Sequence, residues 1–278
     1  MASSNSIFEY KNKYNTLINK YGKTSINISY IDMKNDFVEA LSGPYISTAA
    51  YYRIALSSLL PNLDRIIYCD SDVINFKDLT EMYNLELNDT IYMRGGLDFY
   101  WLILELNSIG ITTDRYMNSG ILLMNLRAMR INGVEEKIRK FIQTKFLNHH
   151  DQTAINGICY KNWDILPIKY TSFVFDNYSE LESYNNKQDE KYQYSENELK
   201  QAFYEPTLIH YAGWVKPWHH KYSKSKGYYW WYYAKQSGFF EEILNHYEFD
   251  KKDVKQILSG IPQDGGFIKK NFKKNSIK

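Results

Sequence analysis

The chain has 278 residues, with 34 Lys and Arg against 32 Asp and Glu for a net charge of +2. That length suits one large α/β domain or two smaller ones, with enough buried apolar surface to fold without disulfides. The near-neutral balance excludes a general nucleic-acid binder, and no apolar run is long enough to span a bilayer. The polar start, Met1 to Ser6, has no apolar core of a signal peptide. Cys69 and Cys159 lie in apolar stretches and are expected to be buried thiols in a reducing compartment. Twenty-six Tyr and six Trp admit two readings, compositional bias or aromatic surfaces that face a polyol ligand.

In chain order, Phe8 to Lys20 carries apolar residues at helical spacing and is expected to stop near Gly22. Ile26 to Ile31 is a short β-rich run. Thr48 to Leu59 reads as a helix closed by Pro61. Arg65 to Cys69 is a continuous apolar strand, the pattern of burial on both faces in a parallel sheet, and it ends in Asp70-Ser71-Asp72. Short strands are expected at Ile91 to Met93 and Ser119 to Leu126. Helices are expected at Phe99 to Leu106, Glu135 to Leu147 and Thr153 to Ile158. Asp176 to Asn197 is polar and Tyr-rich and reads as an exposed excursion. Leu208 to Tyr211 is a strand leading into Gly213-Trp214-Val215-Lys216-Pro217-Trp218. Tyr228 to Lys235 and Phe239 to Tyr247 close the domain as helices. The alternation of strands and helices predicts an α/β fold with a largely parallel sheet, whose ligands bind beyond the carboxyl ends of strands.

Asp70 and Asp72 stand at such an end. Residues i and i+2 of an extended backbone point to one side, so two carboxylates there can share a hard cation such as Mg²⁺ or Mn²⁺. The alternative is a polar turn that ends a strand. His210, at the end of another apolar strand, can complete a metal site begun by carboxylates, or it is a hydrogen-bonded core histidine. Gly213 lets backbone approach a ligand closely, Lys216 can set an ammonium on a diphosphate, and Pro217 stiffens the loop.

Taken together, five segments form an ordered set. They are Tyr52-Arg53-Ile54-Ala55, Ile67 to Asp72, Asn118-Ser119-Gly120 with the apolar run to Leu126, Asp151 to Asn156, and His210 to Gly213 with Lys216-Pro217-Trp218. This set resembles glycosyltransferase family 8, which includes bacterial lipopolysaccharide galactosyl- and glucosyltransferases and glycogenin. The resemblance covers about Ile26 to Tyr247. It implies a GT-A fold, the Rossmann-like fold of nucleotide-diphospho-sugar transferases, with a mixed, mostly parallel central sheet. It implies Mn²⁺ (or Mg²⁺) held by Asp70, Asp72 and His210 on the diphosphate of a UDP-sugar, with Lys216 on the same diphosphate. Arg53, Asp98 and Asn118 are implied near the donor sugar, Gly213 where backbone meets the ligand, and Gln152 and Asp151 as the catalytic candidates. Each also has a plainer reading. Arg53 could be an exposed helix residue, Asn118 a turn cap, Asp151 a helix N-cap and Gln152 a surface residue.

The implied reaction is retaining transfer of glucose or galactose from a UDP-sugar to a saccharide acceptor. The family pattern implies attack from the same face as the departing UDP, and a role in surface glycan assembly, such as lipopolysaccharide biosynthesis, at the cytoplasmic face of the membrane is expected. Two rivals stand beside it: a catalytically impaired, truncated family member, and a carbohydrate-binding protein that uses its Tyr and Trp surfaces. The family's first two strands and intervening helix, which hold the uracil and ribose, are expected to be absent at the N-terminus. Residues 1–248 are expected to form the transferase domain and 249–278 a basic tail. In that tail Phe267, Ile268, Phe272 and Ile277 alternate with lysines, which suits peripheral contact with an anionic membrane. A solvated end is the alternative.

Overall fold

The structure, a computed structural model, describes residues 4–21, 27–31, 33, 36–37, 48–144, 147–219 and 226–261. Gly22 and the apolar-basic segment from Phe267 onward lie outside them. The elements begin with α1 (Ser4–Tyr21), a 3-10 segment (Thr48–Ala55) continuing into α2 (Leu56–Leu59), β1 (Arg65–Cys69), β2 (Val73–Asn75), α3 (Thr80–Tyr83) and β3 (Met93–Leu97). A 3-10 turn then leads into α4 (Ile103–Ser108), followed by β4 (Met117–Asn125), α5 (Leu126–Ile131), α6 (Val134–Thr144), α7 (His150–Cys159), β5 (Trp163–Ile165) and β6 (Ser172–Phe173). The last elements are α8 (Tyr178–Asn186), α9 (Glu196–Tyr204), β7 (Leu208–His210), α10 (Gly227–Gln236), α11 (Phe240–His246) and α12 (Lys251–Gly260). They fall into two compact units, one drawn from residues 33–216 and the other from 1–32 with 217–263.

In the unit of residues 33–216, four strands pair in the order β1-β4-β3-β5 and three in the order β2-β7-β6. The expected mixed α/β architecture is present, but its strands are not mostly parallel. β4 runs antiparallel to both β1 and β3, and β2 runs antiparallel to β7. Only β3–β5 and β6–β7 are parallel among the described strands. An apolar run reports which faces are covered and not which way the neighbour runs. In the four-stranded sheet the strand buried along its whole length is β4, an inner strand, whereas β1 is half-buried and pairs with β4 alone among the described strands.

Helices cover the sheet because their apolar residues recur at helical spacing. Val134, Ile138 and Ile142 of α6 share one buried stripe. That stripe joins Tyr51, Ile54, Met93, Leu122, Met124, Ala154 and Ile155 in the main core, where each fully buried large aliphatic contributes about 1.5–3 kcal/mol. Three sequence expectations fail in instructive ways. Residues 27–31 form no strand, and Ile28, Tyr30 and Ile31 are exposed; a lone extended segment has no ladder to satisfy its backbone groups. The supposed excursion from Asp176 is instead α8 and α9, started by the Asn177 cap and the Ser195–Glu198 capping box. Leu181 and Tyr184 from within it, with Leu199 and Phe203 further along α9, build a second core with Phe173 and Phe175. Cys69, at the end of the edge strand, is exposed, whereas Cys159 is buried as expected.

The other unit has its own core of Trp231, Ala234, Leu244, Ile257 and Ile261, and the Trp231 indole donates to the Pro217 carbonyl at 2.9 Å. Residues 251–260 of the expected tail are helical, with Asp250 capping α12 reciprocally with Asp253. No helix among the described residues is long and apolar enough to cross a membrane.

Candidate active site

Strand register assembles the site. Cys69 lies opposite Ile121, and the next amide, of Asp70, donates to the Gly120 carbonyl at 2.8 Å. Val73 lies opposite His210, and the Asp72 carbonyl accepts from Tyr211 at 3.0 Å. Two antiparallel pairings therefore bring Asp70, Asp72 and His210 together. One ligand atom from each lies within 4.8 Å of the others. His210 Nε2 is 3.9 Å from Asp70 Oδ2 and 3.3 Å from Asp72 Oδ1. Gly120 forms the floor: a Cβ there would come within 2.2 Å of His210 Cε1 and 2.9 Å of Asp70 Oδ2.

The chemistry of this group fits a divalent cation. Two carboxylates and one imidazole suit Mn²⁺ or Mg²⁺. Asp72 Oδ1 is buried without a hydrogen-bond partner; its approach to His210 falls outside hydrogen-bond geometry. A buried acceptor left so is costly unless something else binds it. Burial alone would raise the Asp72 pKa, but His210 and Lys216 outweigh it and hold the carboxyl at about 2. The Lys216 ammonium contacts Asp72 Oδ2 and donates to the Tyr211 carbonyl at 2.7 Å. Gly213, between His210 and Lys216, adopts φ of 89°, which a side chain would resist.

A charge network backs the triad. Arg53 is buried, not exposed on its helix. Its guanidinium reaches Asp70 Oδ1 at 2.9 Å and Asp151 Oδ2 at 3.0 Å, and it donates to the Ser119 carbonyl. Tyr68 donates to Asp70 Oδ1 at 2.6 Å, under the Arg53 guanidinium. Both groups therefore occupy Oδ1 of Asp70 and leave Oδ2 turned toward His210. Burial pushes Asp151 above the ordinary carboxylate range, against the pull of Arg53.

A second cluster gathers around Asp98, which follows β3. Asp98 Oδ2 accepts from Asn118 at 2.8 Å and from Gln152 at 3.0 Å. Gln152 Oε1 accepts from the Ser119 amide at 2.9 Å, so both ends of its side chain are engaged. α7 is fixed against β4 by Asn156, which exchanges two hydrogen bonds of 2.8 Å with the Met117 backbone. The N-cap of α7 is His149 rather than Asp151, which lies inside the first turn.

The structure thus gathers Arg53, Asp70, Asp72, Asp98, Asn118, Asp151, Gln152, His210 and Lys216, with Gly213 in the connecting loop. Sequence reasoning did not single out Tyr68, Ser119, Gly120 or Asn156. Tyr68 was detectable, since it stands two residues before Asp70 on the same strand face.

A sequence model of glycosyl transferase family 8 matches residues 4–222. General stress protein A of Bacillus subtilis is 27% identical over 204 residues, 70% of this chain and 68% of that protein. Glycosyltransferase GlyF of Streptococcus pneumoniae is 25% identical over 242 residues, 84% of this chain and 54% of its own length. The lipopolysaccharide 1,2-glucosyltransferase of Escherichia coli K12 is 26% identical over 178 residues, 62% of this chain and 50% of the enzyme. The chain therefore spans only about half the length of the last two. The bifunctional glycosyltransferase WbbM shares the fold with a TM-score of 0.62 at 17% identity, over 91% of this chain and 44% of that one. An active-site mutant of LgtC does so with a TM-score of 0.52 at 17% identity, over 77% and 72%.

Proposed function

The chain belongs to glycosyl transferase family 8, and from that membership we propose that it transfers a hexose, glucose or galactose, from a UDP-sugar to a saccharide acceptor with retention of configuration. The observation that carries the reading is the meeting of two clusters on β4. Asp70, Asp72 and His210 surround Gly120, and Asp98, Asn118 and Gln152 join two residues away. One cluster suits a cation and diphosphate, the other a ring of hydroxyl groups.

Asp70, Asp72 and His210 would hold Mn²⁺ or Mg²⁺. Bound there, the ion supplies charge neutralisation for the departing UDP. The chain's own residues do the rest. Lys216 binds a diphosphate oxygen and stabilises the negative charge that develops there. Arg53 fixes Asp70 and Asp151 at 2.9 and 3.0 Å, so the carboxylates beside the reacting carbon do not relax as charge moves. Asp98 and Asn118 accept and donate at sugar hydroxyls, and Asp98 with the Ser119 amide orients Gln152 beside the ring. Asp151, ion-paired with Arg53, balances positive charge at the anomeric centre. The acceptor hydroxyl attacks from the side that UDP leaves, and its proton passes to a phosphate oxygen of UDP.

Incubation with UDP-glucose or UDP-galactose, Mn²⁺ and a panel of saccharides tests this, with UDP release and the anomeric configuration of the product as readouts. A retained anomer formed only with a divalent ion is the expected result. An inverted product, or turnover indifferent to chelation, would overturn it.

A further inference from the structure

Asp98 is held from behind by a part of the chain that the chemistry above does not use. The Tyr184 hydroxyl on α8 donates to the Leu97 carbonyl at 2.7 Å, and Gln188, just past the end of α8, donates from Nε2 to the Asp98 carbonyl at 3.0 Å. Both side chains are buried, at 7% exposure each. Neither is there merely to fill space, because each aims a donor at one of two consecutive carbonyls where β3 ends.

The holder is itself braced. Gln193 donates to the Gln188 carbonyl at 3.0 Å. Asn185 exchanges hydrogen bonds of 3.1 and 2.8 Å with the Tyr194 backbone, and Tyr194 donates to the Leu166 carbonyl at 3.1 Å. The Tyr184 ring stands edge-on to Phe99 and to Phe173. On the other side, the Asp98 carboxylate carries Asn118 and Gln152. An unbroken line of hydrogen bonds therefore runs from the α8–α9 segment through Asp98 to Gln152.

We propose that Tyr184 and Gln188 are positioning residues that set the place of Asp98, and through it the affinity for the hexose of the donor, while leaving UDP recognition to other residues. The inference rests on the donor-site reading above. Side chains that support a ligand-binding group from behind tune affinity without touching the ligand, and displacement of such a group by even a fraction of its contact distance is costly.

Gln188→Met keeps the volume and removes the donor, and Tyr184→Phe removes one hydroxyl. Calorimetry with Mn²⁺ measures UDP and UDP-hexose binding to each variant, using whichever of UDP-glucose and UDP-galactose binds wild type more tightly. In both variants the ratio of UDP-hexose affinity to UDP affinity should fall by about 10-fold or more, with UDP affinity itself little changed. A purely structural role would lower the melting temperature and weaken both ligands together, which overturns the inference. So does an unchanged ratio in both folded variants while wild type binds the donor. Wild-type protein that binds neither UDP nor UDP-hexose overturns the donor-site reading and this inference with it.

Discussion

Replacing Gly120 with alanine adds one methyl group at the floor of the triad. Gly120 is not among the residues with positive φ, so alanine fits the backbone and the effect is one of space alone. The new Cβ would lie 2.2 Å from His210 Cε1 and 2.7 Å from His210 Nε2. Carbon atoms settle at about 3.5–4.0 Å, so the imidazole or β4 must yield by more than an ångström. Neither has room. His210 is 5% exposed and faces Phe173 at 6.0 Å between ring centroids, and β4 is buried along its length. Overpacking of this kind costs about 1–3 kcal/mol, a fall in melting temperature of roughly 2–12 °C for a unit of this size. Because the displaced group is a proposed cation ligand, Mn²⁺ affinity should fall by about 10–100-fold or more. Titration calorimetry with Mn²⁺ and a thermal melt measure the two effects on one sample. Wild-type Mn²⁺ affinity in Gly120→Ala would refute the claim that Gly120 leaves space for a cation site.

Two further outcomes are expected. Lys216→Ala should lower turnover by about 10²–10³, the usual loss for one preorganised charge at a leaving group, and steady-state kinetics on a competent donor and acceptor checks it; near-normal turnover would remove Lys216 from the site. Arg139 donates to both oxygens of Asp36 at 2.9 and 3.0 Å, and those hydrogen bonds hold the Asp36 pKa below its ordinary 3.8. A lowered folded pKa gives stability that is full above the ordinary value and is lost as pH falls through the lowered one. The stability gap between wild type and Asp36→Asn should therefore be open at neutral pH and close in acid, as denaturant melts across that range would show; a gap independent of pH would contradict the pairing.

The group of Asp70, Asp72 and His210 was legible as a candidate cation site from local pattern, whereas Arg53, Asp98, Asn118, Asp151 and Gln152 entered only through the family resemblance. Asp70 and Asp72 stand two residues apart just after an apolar strand, in the connection from β1 to β2, and His210 ends an apolar run. The same rule, applied one step back, would have found Tyr68. Tyr184 and Gln188 were not legible. Their partners are 87 and 90 residues away in sequence, and their segment looked solvent-facing because the apolar positions of α8 and α9 are interleaved with Glu, Asn and Lys. The tyrosines divide between the two readings: Tyr51, Tyr116, Tyr170 and Tyr211 are fully buried core residues, whereas Tyr14, Tyr30, Tyr83 and Tyr100 are exposed. Strand direction was illegible for a different reason. The burial of β4 is the same whichever way its neighbours run, and the antiparallel pairs follow from connections that composition does not encode.

Calorimetric binding of UDP in the presence and absence of Mn²⁺, to wild type and to Asp70→Asn, tests the central claim most directly. The change replaces one carboxylate oxygen of the triad with a neutral amide, and a hard cation that relies on few anionic ligands loses most of its affinity. Wild type should bind UDP with a clear gain on adding Mn²⁺, and Asp70→Asn should show none of that gain while still melting as a folded protein. UDP binding by wild type that is indifferent to Mn²⁺, or a full Mn²⁺ gain retained in Asp70→Asn, would contradict the account.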